Sequence, residues 1–102
     1  MIYVVATIEL VEGRRADFLE EFGRIVPQVR GERGCLEYGP AVDVATGIPA
    51  QESVRENGVT VIEKWESLES LEAHLQAPHM LEYRGRVKDL VAGVSLQVLE
   101  PA

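Results

Sequence analysis

The sequence predicts an α+β domain with the ferredoxin-like β-α-β-β-α-β arrangement, one antiparallel sheet carrying its helices on one face. Two observations lead there. Apolar residues alternate with period two in four stretches, and the segments between them switch to helical spacing. Taken along the chain, these stretches run strand, helix, strand, strand, helix, strand. The 102 residues, 46% apolar and 26% charged, have an ordinary globular composition, so one domain spanning 1–102 is expected.

The first strand is Ile2–Val11, with Ile2, Val4, Ala6, Ile8 and Leu10 on one face and Tyr3, Val5, Thr7, Glu9 and Val11 on the other. From Arg14 to Val29 the apolar residues Phe18, Leu19, Phe22, Ile25, Val26 and Val29 fall on one helical side. Pro27 lacks an N–H and crowds the preceding turn, which predicts a kink or restart. Cys35–Ala45 forms the second strand, and Gly39-Pro40 predicts a bulge or a sheet edge there. Asn57-Gly58 is a hairpin dipeptide of the type I′ kind, which would let Ser53–Glu56 pair with Val59–Ile62.

The third strand, Val59–Glu66, places Val59, Val61, Glu63 and Trp65 on one face. Ser67 then caps a helix whose buried stripe is Leu68, Leu71 and Leu75. Ala77-Pro78 interrupts it, and Pro78 opens a further helix with Met80, Tyr83, Val87, Leu90 and Val91 on its apolar side. Ala92-Gly93 is expected to stop that helix before a final strand through Val94, Leu96 and Val98. The outer face of such a sheet is too apolar to leave wet, and a homodimer burying sheet against sheet covers it.

Composition excludes several classes of function. Ten Lys and Arg against 17 Asp and Glu give a net charge of −7, which repels a phosphate backbone and argues against nucleic-acid binding. No apolar run approaches the ~18–20 residues of a membrane span, and the N-terminal stretch alternates like a strand instead of resembling a signal peptide. The single Cys35 cannot form an internal disulfide, which suits a cytoplasmic protein. Gly-rich phosphate loops, a Ser-His-Asp order and paired cysteines are all missing, so neither a cofactor nor a structural metal is expected.

The candidate chemistry concentrates in Val59–Arg84. Glu63 and Trp65 share a strand face, so an acid stands beside a large flat ring that could stack on a ligand. The competing reading is a core ring, with Glu63 paired to an arginine. His74 lies at the border of the leucine stripe, a position that suits a cavity-facing base. His79 reads first as a cap beside Pro78, and otherwise as a second histidine able to take a proton or contact substrate. A metal held by Glu63, His74 and His79 is poorly supported, because the H-x4-H spacing with Pro78 between does not align the rings on one helix face. Arg84 can stabilise an anion, whereas Arg86 reads as part of a solvated face. Tyr3 and Tyr38 on strands, and Tyr83 on the last helix, are further candidates for substrate contact. Cys35 reads as a small buried residue.

ERGCLEY (32–38), VIEKWES (61–67) and LEAHLQAPHMLEY (71–83), taken together, resemble the antibiotic biosynthesis monooxygenase domain. Its relatives include quinol monooxygenases and polyketide-modifying enzymes. The similarity runs over almost the whole chain. It implies a dimeric α/β-barrel in which two ferredoxin-like sheets close together. It also implies oxygenation of a phenolic or hydroquinone substrate by O2 without metal or flavin, the deprotonated substrate passing an electron to O2 directly. On that resemblance Trp65 matches the pocket tryptophan, Arg84 lies about where polyketide-oxidising members place an anion-stabilising arginine, and His74 is the candidate base. Haem-degrading relatives carry a tryptophan where this chain has His74, an asparagine near Thr7 and a histidine near Arg84, which argues against haem degradation. The loop Thr46–Asn57 is long for the family and is a candidate lid or dimer arm.

Two other functions compete with the monooxygenase. One is isomerisation or tautomerisation of a small hydroxyketone, which would proceed without O2. The other is a non-catalytic small-molecule-binding dimer module, whose sign would be a purely apolar pocket with Glu63 and His74 both turned into salt bridges.

Overall fold

The central strand is the one whose two faces both carry apolar residues. In the computed structural model, which describes residues 1–102, β1 (Ile2–Leu10) is followed by α1 (Arg15–Arg30), β2 (Cys35–Ala41), β3 (Gly58–Trp65), α2 (Leu68–Leu75), α3 (Pro78–Val87) and β4 (Val91–Leu99). The strands form one antiparallel sheet in the order β2-β3-β1-β4, the ferredoxin-like topology. Val4, Ala6, Ile8 and Leu10 are buried on the helix side, while Tyr3, Val5 and Thr7 on the opposite side are half-buried. Phe18, Phe22, Ile25, Val26 and Val29 of α1 pack onto the buried side, as their helical spacing predicts. No helix is long and apolar enough to cross a membrane.

Several local expectations give way to longer-range pairing. Asn57-Gly58 makes no type I′ turn, since neither residue has positive φ. Asn57 instead ties the start of β3 to the end of β1: its carbonyl accepts from Leu10 N–H at 2.8 Å and its Oδ1 from Gly13 N–H at 3.1 Å. Ser53–Glu56 therefore stays outside the sheet. Strand β2 ends at Ala41, four residues early. It lies at the sheet edge, which spares the Pro40 nitrogen a missing partner, and its register shift falls between Cys35 and Glu37. Helix α1 runs through Pro27 without a break, its last turn held by the buried Ile25, Val26 and Val29.

At the C-terminal end, α3 stops at Val87 and the chain enters β4 at Val91, because Val91 pairs with Leu10. Gly93 pairs with Glu9, so Ala92 is the extra residue of a bulge and not part of a helix stop. Ser67 caps α2, its Oγ accepting from Ser70 N–H at 3.1 Å, and Pro78 opens α3, both as expected. The leucine stripe of α2 is narrower than its spacing suggests. Leu71 is buried, but Leu68 and Leu75 remain 50% and 38% exposed, because α2 is only two turns long and meets the sheet by one edge.

Candidate active site

The site begins at a turn. Gly31–Gly34 carries the chain from α1 into β2, and Gly34 adopts φ +84°, a left-handed conformation that glycine tolerates. A Cβ there would stand 2.7 Å from the Ser70 Cβ, so the close approach of this turn to α2 requires glycine. Gly34 also accepts from Glu66 N–H at 2.8 Å. This packing carries Glu32 to the C-terminal half of α2, 42 residues further along the chain.

Glu32 lies between two histidines. His74 Nδ1 is 2.9 Å from Glu32 Oε2, and His79 Nε2 is 2.7 Å from the same oxygen. His74 is only 2% exposed, and desolvation drives its pKa below the ordinary histidine value, with the Glu32 contact pulling the other way. The ring is therefore neutral near pH 7. A neutral imidazole facing a carboxylate through Nδ1 carries its proton there, which leaves Nε2 with a free lone pair. Trp65 packs 4.7 Å from this ring, and Tyr38 meets it edge-on at 5.3 Å.

Glu63 occupies the same buried face. Its Oε1 accepts from Trp65 Nε1 at 2.9 Å, and it has no basic partner. Burial pushes its pKa up to about 7. The tryptophan hydrogen bond opposes that shift and the Glu32 charge adds to it. Burial also raises both the Tyr38 and the Tyr83 pKa, keeping these phenols protonated.

These groups surround a cavity of about 490 Å³ between the sheet and the paired helices α2 and α3, within the size range of small-molecule sites. Apolar side chains, among them Ala6, Val61 and Met80, make most of the wall. Its polar members are Tyr38, Glu63, His74, Tyr83, Arg84 and Lys88. No buried side-chain N or O atom in the protein lacks a hydrogen-bond partner. His74 Nε2, Glu63 Oε2 and the Tyr38 and Tyr83 hydroxyls have no protein partner. All four must then reach accessible space, and each of the four residues lines the cavity. The arrangement can take a proton from a hydroxyl, donate hydrogen bonds to the resulting anion, and keep water from most of its surface.

The structure redistributes the sequence candidates. His74, Glu63, Tyr38, Tyr83 and Arg84 converge on the cavity. Trp65 does not line it: fully buried, it stands behind Glu63 and His74 and holds both, so the core-ring reading describes its place and its indole is the partner of Glu63 in place of an arginine. Tyr3 is on the opposite sheet face, where the strand pleat puts odd-numbered residues of β1, with Lys64 Nζ 5.9 Å above its ring. His79 makes no cap and no cavity wall. It bonds Glu32, because the break at Pro78 turns α3 back toward the same carboxylate that His74 meets. Arg86 stands on the exposed helix face, as expected, and pairs there with Glu21 of α1 at 3.1 Å.

No group of three or more His, Cys, Asp or Glu residues is placed to hold a metal ion. Burial raises the Cys35 pKa, which keeps that thiol protonated. The 46–57 loop lines none of the cavity within this chain. Arg55 holds Asp43 across the loop base by a pair of hydrogen bonds at 2.8 and 2.7 Å. A depression of about 700 Å³ beside that pair has no hydrophobic wall and offers nothing to an aromatic ring.

Two site residues were missed in the sequence. Glu32 lies within ERGCLEY, but nothing local marks it as the partner of residues more than 40 positions away. Lys88, one turn after Arg84, could have been singled out by that spacing alone.

The sequence profile of the family described as Antibiotic biosynthesis monooxygenase matches residues 1–86. The chain belongs to that family. Membership assigns it to a class of monooxygenase enzymes. Over 103 aligned residues it is 42% identical to the "Probable quinol monooxygenase YgiN" of Escherichia coli (strain K12), covering 99% of this chain and 98% of that one. Among solved structures, protein PA3566 of Pseudomonas aeruginosa superimposes with a TM-score of 0.80 at 24% identity, over 99% of this chain and 93% of that one. A conserved protein of Methanosarcina mazei Go1 superimposes with a TM-score of 0.84 at 18% identity, over 99% and 92%. At these identities the two structures speak for the shared fold.

Proposed function

We propose that this family member is a cofactor-independent monooxygenase that oxidises a quinol or a related phenolic, polyketide-like aromatic with O2 in the cavity between the sheet and α2/α3. The observation that carries this reading is His74: a neutral ring fixed through Nδ1 by Glu32, its Nε2 unpaired, on the wall of a mainly apolar cavity that two protonated tyrosines also line. The similarity to a named quinol monooxygenase supports the substrate class.

In this reaction His74 Nε2 takes the proton of a quinol hydroxyl. The tyrosine hydroxyls and the Arg84 guanidinium stabilise the electron-rich anion, which passes electrons to O2. One oxygen atom enters the ring and the other leaves as water. The quinol supplies four electrons, two on becoming a quinone and two at the hydroxylated carbon. Trp65 acts behind the cavity by positioning Glu63. The carboxyl of Glu63, raised to about 7, is available to accept or return a proton during the same cycle. His74 pairs with Glu32, but the cavity departs from the pattern of a purely binding module in that Glu63 forms no salt bridge and polar groups line the interior.

The same reading has the protein act as one domain, in the cytoplasm and as a homodimer. In support of the dimer, Val94, Leu96 and Val98 on the cavity side of edge strand β4 are 63%, 48% and 41% exposed, an apolar row with no helix above it.

O2 uptake with a panel of neutral hydroquinones of the menadiol type in metal-free buffer tests the function. The expected result is uptake well above the buffer background, lowered by roughly 100-fold or more in His74→Ala. No rate above background across the panel overturns the proposal, and an unchanged rate in His74→Ala removes His74 as the base.

A further inference from the structure

The mouth of the cavity carries charge that proton transfer does not use. Of the ten Lys and Arg residues, seven are held by a carboxylate or a backbone carbonyl within the protein. Arg33, Arg84 and Lys88 have no such partner. Two of these three line the same cavity, four residues apart near the C-terminal end of α3. A chain with 17 acidic residues offers carboxylates widely, and five of its other cations find them. Arg86, two residues from Arg84, already reaches Glu21. Residues four apart on a helix stand about 5–6 Å from each other at Cβ, which suits the two oxygens of one small anionic group.

Stabilising a phenolate requires a single cation, and Arg84 supplies it. Lys88 is then a second positive charge at the rim of a cavity whose interior is mainly apolar. A neutral hydroquinone would gain nothing from it.

We propose that the natural substrate is an aromatic acid, its ring inside the apolar cavity and its anionic substituent held between Arg84 and Lys88 at the mouth. This deepens the quinol-monooxygenase reading and rests on it for the aromatic part of the ligand. A carboxylate next to a ring hydroxyl places both groups within the field of Arg84, so the cation that holds the acid also favours loss of the adjacent phenolic proton. Lys88 contributes a more mobile contact, and its part is selection of the charged substrate.

Calorimetric binding of 2-naphthoate and of its neutral counterpart 2-naphthamide tests the proposal. The probes are similar in shape and neither can be oxidised as a quinol. The expected result is an acid bound about tenfold more tightly than the amide. The preference falls to about twofold or less in the Arg84→Gln/Lys88→Gln double variant, with a smaller fall in Lys88→Gln alone. It also weakens in the wild-type protein as salt rises toward about 0.5 M. Equal affinity for the two probes, absent binding of the acid, or a preference kept in the double variant overturns the proposal. Should the double variant not fold, a wild-type preference that resists salt overturns it as well. No step of this assay needs O2. Acid preference without hydroquinone oxidation therefore overturns the monooxygenase reading alone, and turnover of neutral hydroquinones without acid preference overturns this proposal alone.

Discussion

The two ends of the helix-covered sheet face are built on opposite plans. At the β3 end the space is closed by rings: Trp65 against His74, Tyr38 edge-on to His74, and Phe22 stacked on Tyr38 at 5.5 Å. Of these rings only His74 and Tyr38 also reach the cavity; Trp65 and Phe22 do not. At the β4 end the same face continues through Val94, Leu96 and Val98, but no helix lies over them, and the cavity opens between this strand and α3. The difference teaches how a chain of 102 residues can hold a cavity at all. The closed end supplies the rigidity that fixes His74 and Glu63, while the open end forgoes packing to leave volume for a substrate.

The largest effect should come from breaking the closed end. Trp65→Ala is expected to cost ~3–5 kcal/mol, as for a fully buried aromatic ring, read from urea denaturation against wild type. A loss under about 1 kcal/mol would show that the ring cluster does not hold the fold.

The next concerns the charge buried against that cluster. Glu63 binds its proton more tightly folded than unfolded, so the folded state holds the extra proton between pH 4.5 and about 7. Its contribution is present below that window and lost as pH rises through it, on the order of 3 kcal/mol. Glu63→Gln, which can still accept from the indole, should gain stability relative to wild type across this window. His74, with its lowered pKa, gives a contribution of opposite sign that is common to both proteins. Parallel stability–pH curves for the two proteins would contradict the buried-acid assignment.

Glu32→Gln sharpens the link between the turn at Gly34 and the cavity. The substitution removes the charge that supports protonated His74, so the acid limb of the rate profile should move to lower pH. Looser orientation of the ring should lower turnover about tenfold. A profile that keeps its position would mean that Glu32 only packs.

The smallest effect is expected at the open end. Leu96 is half exposed, and Leu96→Ser should change the stability of the dilute monomer by no more than about 0.5 kcal/mol. A monomer destabilised by more than ~2 kcal/mol would mean that this end is closed within one chain.

Much of the fold was legible in local pattern, because period two and period 3.6 state which faces must be buried, and Ser67 and Pro78 state where helices begin. The errors share one cause. Asn57-Gly58 has strong hairpin chemistry, yet its groups go to Leu10 and Gly13. Val91 fits a helix stripe, yet pairs with Leu10. In each case a partner distant in sequence offered a ladder that local propensity could not anticipate. The site divides along the same line. Glu63, His74, Tyr38, Tyr83 and Arg84 were visible as chemically able residues on predicted faces, but Tyr3 and Trp65 were equally visible and only the packing excludes them from the cavity wall.

The stretch Val59–Arg84 by itself determined that a strand acid and a helix histidine would lie on the buried side of one sheet, since the periodicity of each element fixes its face. Tertiary structure alone decided what each does there. It brought Glu32 across 42 residues to His74, and so set which ring nitrogen is free. It turned the Trp65 indole onto Glu63, leaving one carboxylate oxygen for the cavity. Hydrogen bonds and burial belong to pairs of elements in contact, and a one-dimensional pattern specifies faces without specifying partners.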